Sequence, residues 1–187
     1  MQQRLWAARD PSMHPGGKQT TAKALYREVR EYLLHAADDR ILEGGQARVW
    51  DVLKFDRRKD GKYFIAVGDV RNFHRDPSLP HFRRTVDQAW FDFQLLLEER
   101  ARSVEILAYD FELRLPGGDS KSSFVRFDLN PEDHDNEADG LRSHMHVSSD
   151  DDGMSVPAPV MSPYELLDVM VHGLVPTGRV RRADVAV

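Results

Sequence analysis

Apolar side chains return at every second position in four successive stretches of this chain, and that period argues for antiparallel sheet. The rows are Phe91, Phe93, Leu95 and Leu97; then Leu107, Tyr109, Phe111, Leu113 and Leu115; then Val125, Phe127 and Leu129; and last Leu141, Met145 and Val147, where Ser143 interrupts the row. Side chains alternate across a strand, so each stretch buries one face and wets the other. The links are short and polar: Glu99 to Ser103, and the turn Pro116-Gly117-Gly118-Asp119. Strands joined this way form a meander, which tolerates one solvated face. Only Trp90 to Glu98 has a rival reading, since the charged Glu98 to Arg102 that follows suits a helix. The clear alternation of Val104 to Leu115 favours the strand.

Helices are expected at both ends of this sheet. Lys18 to Glu43 carries Leu25, Val29, Tyr32, Leu33 and Ala36 at the three-and-four spacing of an apolar stripe. Thr20 or Thr21 can cap it, and Gly44-Gly45 can end it. Ser162-Pro163-Tyr164-Glu165 is a capping box with proline at the first helical position, and Gly173 and Pro176 stop the helix it starts. Ala47 to Phe55 and Tyr63 to Val70 read as a hairpin turning at Asp60-Gly61, and Asn72 to His81 reads as a loop. The expected fold is α+β: an antiparallel meander of five to six strands packed by an N-terminal and a C-terminal helix. It would occupy residues 18–176 as a single domain, with a loose extension over 1–17 and a tail over 177–187.

Composition removes several chemistries. The chain has no cysteine, so disulfides, thiolate zinc and a Cys nucleophile are excluded, and a cytoplasmic location is expected. Met1 to Thr20 is interrupted by Arg4, Arg9 and Asp10, so it reads as neither a signal peptide nor a membrane anchor. From Pro116 onward there are 6 Lys/Arg against 13 Asp/Glu. Such an acidic third lacks the broad basic footprint of a duplex binder.

What chemistry remains is concentrated between Phe124 and His146. Arg126 and Asp128 lie opposite the Val125 row, and Arg142, His144 and His146 lie opposite the Met145 row. If the two strands pair, these five side chains converge, with His134 in the acidic connector between them. The plainest alternative is a wet sheet face holding an Arg–Asp pair, in a non-enzymatic protein-interaction module. Against it, three of the eight histidines fall within this block, and imidazole suits proton exchange near neutrality. In one scheme His144 and His146 transfer protons during phosphodiester cleavage, Asp128 orients a histidine, and Arg126 or Arg142 holds the phosphate; His134 is a further substrate contact. An RNA substrate brings its own 2′-hydroxyl nucleophile, so no cofactor or metal is expected. In a rival scheme His144 and His146 bind a divalent metal, with Asp128 or His134 as third ligand. Asp150-Asp151-Asp152-Gly153 lacks the ligand spacing of an EF-hand and reads as a solvated turn.

The order Arg126-Phe127-Asp128, His134, His144-Met145-His146 and Ser162-Pro163-Tyr164-Glu165-Leu166 resembles the TumE-like toxins of bacterial toxin–antitoxin modules. The resemblance covers about the last third of the chain. It implies a ribonuclease toxin with RNA as substrate and a protein partner of antitoxin type, with Arg126, Asp128, His144 and His146 as the residues that would carry the activity.

Overall fold

A computed structural model describes residues 21–69, 71–72, 74–116, 123–132, 142–148 and 155–173. Among them are three helices, α1 (Ala22–Asp38), α2 (Gly45–Val52) and α3 (Pro163–His172). The strands are β1 (Leu53–Arg57), β2 (Tyr63–Val67), β3 (Phe82–Arg83), β4 (Trp90–Arg100), β5 (Ser103–Leu115), β6 (Ser123–Leu129), β7 (Ser143–Ser148) and β8 (Ser155–Pro157). All eight belong to one open antiparallel sheet, ordered β1-β2-β4-β5-β6-β7-β8, with β3 also paired to β4. The α+β class and the antiparallel sheet agree with expectation. The strand number exceeds the five to six anticipated, because β3 and β8 are too short to carry a readable period.

Two expected elements change. α1 stops at Asp38 rather than Glu43. Arg40 takes a left-handed conformation (φ 59°), and the amides of Arg40 and Ile41 bond back to the carbonyls of Ala37 and Ala36, the Schellman pattern. Gly44-Gly45 therefore does not end α1 but opens α2, with Gly44 as its N-cap at φ 79°. Residues 47–52, expected as the start of a strand, are helical because Val49 and Val52 sit three apart and bury together. The strand begins only at Leu53. The hairpin turn at Asp60-Gly61 is as read, with Gly61 at φ 86°.

The core lies on one face of the sheet. Leu25, Val29 and Leu33 of α1 and Leu166, Leu167 and Met170 of α3 cover Ile65, Phe91, Phe93, Leu95, Leu97, Phe111 and Leu113. The apolar row of β5 differs from the expected one. A bulge opposite Leu96–Leu97 pairs Leu96 with Ala108 and Leu97 with Ile106, leaving Leu107 as the extra residue. Ile106 takes the core position that the simple alternation gives to Leu107, and Leu115 ends up exposed. His81, at the end of the expected loop, is buried against Trp90, ring centroids 4.8 Å apart.

α3 starts as its sequence dictates. Glu165 donates its backbone N–H to Ser162 Oγ at 3.3 Å, and its carboxylate accepts the Ser162 N–H at 2.9 Å. Among the described residues, no helix is long and apolar enough to cross a membrane. His134, Leu141, the Asp150 to Gly153 run, Pro176 and the extensions over 1–17 and 177–187 lie outside the described residues.

Candidate functional site

The face of the sheet away from the helices carries the polar side chains, and register fixes which of them meet. β6 and β7 pair antiparallel with Asp128 opposite His144, Arg126 opposite His146 and Phe127 opposite Met145. The two polar rows expected from the alternation therefore do converge. On the other side of β6, Asp110 faces Asp128 and Glu112 faces Arg126. One step further, Gln94 pairs with Asp110 and Asp92 with Glu112. Two rows of polar groups thus cross four strands.

Asp128 is the hub. Its Oδ2 accepts from Arg126 Nε at 2.8 Å and lies 3.2 Å from His146 Nε2 and 3.5 Å from His144 Nε2. Its Oδ1 is 3.7 Å from a guanidinium nitrogen of Arg71. Burial works to raise the Asp128 pKa, but the His146 hydrogen bond and the Arg126 and Arg71 charges outweigh it, and the carboxyl is held below the ordinary carboxylate range. The two imidazoles meet edge to face, 4.7 Å between centroids. His146 Nδ1 is 3.3 Å from Ser155 Oγ on β8. Both histidines are largely buried, yet they border a cavity of about 460 Å³ together with Asp110, Arg71, Arg126 and Asp128. That is ample for a small ligand.

Asp110 differs from its neighbour. Burial pushes its carboxyl up to about 7, against the opposing pull of the Arg71 charge and of the hydrogen bond that Gln94 donates to it. Arg71 spans both acids, its Nε lying 3.5 Å from Asp110 Oδ1. Beyond them, Arg114 is the most enclosed cation of the face. It bonds Asp92 at 2.6 Å, Glu112 at 2.7 Å and the Asn72 carbonyl at 3.2 Å, and lies 4.3 Å from the centroid of the Trp90 ring. Arg75 reaches Glu112 at 2.9 Å and packs on the Phe124 ring. Burial raises Asp92 despite the Arg114 charge beside it.

Of the residues singled out from sequence, Arg126, Asp128, His144 and His146 are assembled in one place. Arg142 is not brought to them: its guanidinium engages the Asn130 carbonyl at 3.2 Å and Glu132 at 3.4 Å, at the end of the hairpin. His134 lies outside the described residues. Sequence reasoning missed Arg71, Asp92, Asp110, Glu112 and Arg114. A signal for four of them was present, since acids and arginine are uncommon inside strands as apolar as β4 and β5. Nothing local marks Arg71, which arrives from a loop.

The donor atoms of Asp128, His144 and His146 all lie within 4.8 Å of one another, so this triad is also the one group among the described residues able to hold a metal ion. Comparison with protein-family models, with curated proteins and with solved structures finds no match to this chain.

Proposed function

We propose that this protein is a metal-independent ribonuclease of toxin type, cleaving RNA at the cavity over Asp128. The observation that carries the reading is the gathering of two imidazoles and two guanidiniums, those of Arg126 and Arg71, around a single carboxylate on a cavity wall. One histidine removes the proton of the 2′-hydroxyl as that oxygen attacks phosphorus. The bond to the 5′-oxygen breaks, and the other histidine supplies the proton the leaving oxygen needs. The products are a 2′,3′-cyclic phosphate and a free 5′-hydroxyl. Arg71 and Arg126 offset the charge that grows on the phosphoryl oxygens.

Charge on this face is compatible with an anion, although the chain as a whole is acidic. Among the described residues, four arginines (Arg71, Arg75, Arg114, Arg126) stand among four acids (Asp92, Asp110, Glu112, Asp128), and Asp110 keeps its proton into the neutral range. Within this group of eight the acids do not outweigh the arginines, so the group itself does not repel an anion.

The test is cleavage of a labelled RNA in the presence of EDTA by protein purified without a metal-affinity column. Cyclic-phosphate ends, no action on the all-deoxy strand, and a loss of 10²- to 10⁴-fold for His146→Ala are the expected results. Expression in a bacterium should slow growth, and the same substitution should relieve it. A second reading, a metal-dependent hydrolase, is favoured by the three-donor triad. Cleavage that disappears in EDTA and returns with a stoichiometric divalent ion would replace the first mechanism by this one.

A further inference from the structure

The open face is not polar throughout. Phe64 pairs with Leu96, and Leu96 with Ala108, so three apolar residues stand side by side across β2, β4 and β5. All three are only half-buried, and all three border the same cavity as Asp128, His144 and His146. Elsewhere on these strands the apolar row beneath the helices is buried, as at Ile65, Leu95 and Leu97. Phe64 points to the opposite side. Ala108, the smallest of the three, leaves depth beside Leu96. Arg58 borders this end of the cavity.

We infer that the row Phe64, Leu96 and Ala108 is the seat of a nucleobase, so that a nucleotide binds with its phosphate at Arg71 and the histidine pair and its base on this apolar strip. The inference rests on the phosphate reading proposed above and adds where the base goes. Spacing supports it. With strands about 4.8 Å apart and a rise of about 3.4 Å per residue, Leu96 and Phe64 lie roughly 8 and 12 Å from Asp110, the acid that shares Arg71 with Asp128, about the length of one nucleotide. A flat heterocycle gains from an apolar floor whatever its edge pattern, so the seat favours nucleotides over sugar phosphates without strong sequence preference.

The experiment is calorimetric titration of the full chain with three probes: inorganic phosphate, ribose 5-phosphate and uridine 3′-monophosphate. The nucleotide should bind at least ten-fold more tightly than ribose 5-phosphate, the gain expected of one stacked base. Phe64→Ala should erase that advantage while leaving the affinity for ribose 5-phosphate unchanged. Ala108→Leu, which fills the depth instead of opening it, should do the same, and an unchanged melting temperature in either variant shows that the fold is intact. Equal binding of nucleotide and ribose 5-phosphate by the wild type overturns the base seat alone. So does a nucleotide preference that survives both substitutions. Binding of none of the three probes overturns the phosphate reading together with it.

Discussion

Asp110 and Asp128 face each other directly across β5 and β6, and their surroundings push their pKa values apart. Asp128 is held ionised by Arg126, Arg71 and His146, whereas Asp110, enclosed and sharing Arg71, keeps its proton up to about 7. Two neighbouring carboxyls tuned in opposite directions are the usual mark of an acid beside a charged partner.

The raised Asp110 pKa makes stability depend on pH in a defined direction. Between the unfolded value near 3.9 and the folded value of about 7, the folded chain holds a proton that the unfolded chain has released, so stability falls as pH rises through this window. Asp110→Asn removes the dependence. Its advantage over wild type should grow by about 3 kcal/mol between pH 5 and pH 8, read from urea unfolding at each pH. An advantage that stays constant across those two values would contradict the assignment.

Asp128 has the opposite character. It accepts from Arg126 and His146 within a buried cluster, so Asp128→Ala removes the acceptor these two donors share and should cost about 3–5 kcal/mol. Asp128→Asn keeps an acceptor and the shape but not the charge. It should unfold within about 1–2 kcal/mol of wild type while losing most RNA cleavage. Comparing the melting curve and the cleavage rate of the two variants separates the structural part of the residue from the chemical part.

How far the sequence foretells these features depends on the range of the interaction concerned. The strands β4 to β7 and the placing of Arg126, Asp128, His144 and His146 on one face follow from alternation, because one slipped residue would turn Phe127 and Met145 outward. A slip of two would not, so the pairing of Asp128 with His144 is not fixed by period. The capping box at Ser162 is equally local. By contrast, the bulge at Leu107 depends on its partner strand, and its effect is to exchange Leu107 for Ile106 in the core. Ala47 to Val52 carries β-prone valines, yet packing beside α1 makes it helix, a case of tertiary context overriding propensity. Arg71 and Arg75 belong to the site only because a loop returns over the open face, and no spacing in the chain announces that.

Arg114 tests whether the polar face is held by its ion pairs. It is 1% exposed and bridges Asp92 and Glu112. Arg114→Met leaves two enclosed carboxylates facing each other and should cost about 3–5 kcal/mol. Adding Asp92→Asn to that variant should recover a large part of the loss, because the burden lies in the Asp92 charge that Arg114 balanced, whereas Glu112 keeps Arg75. A double variant no more stable than Arg114→Met would show that shape, including the stacking on Trp90, matters more than charge.

The end of α3 supplies the last prediction. Gly173 closes the helix at φ 76°, where a side chain is strained, and a β-carbon placed on it would meet Arg84 Nη1 at 2.0 Å. Arg84 is itself buried and paired with Asp87, so it has little room to withdraw. Gly173→Ala should therefore destabilise by about 2–4 kcal/mol, the sum of backbone strain and overlap. The two parts can be divided. In a background of Arg84→Ala the overlap is gone and only the strain remains, so adding Gly173→Ala there should cost about 1 kcal/mol. Chemical denaturation of the four chains gives the cycle directly. An equal cost in both backgrounds would mean that the Arg84 guanidinium moves aside freely and that the conformation of Gly173 alone ends the helix.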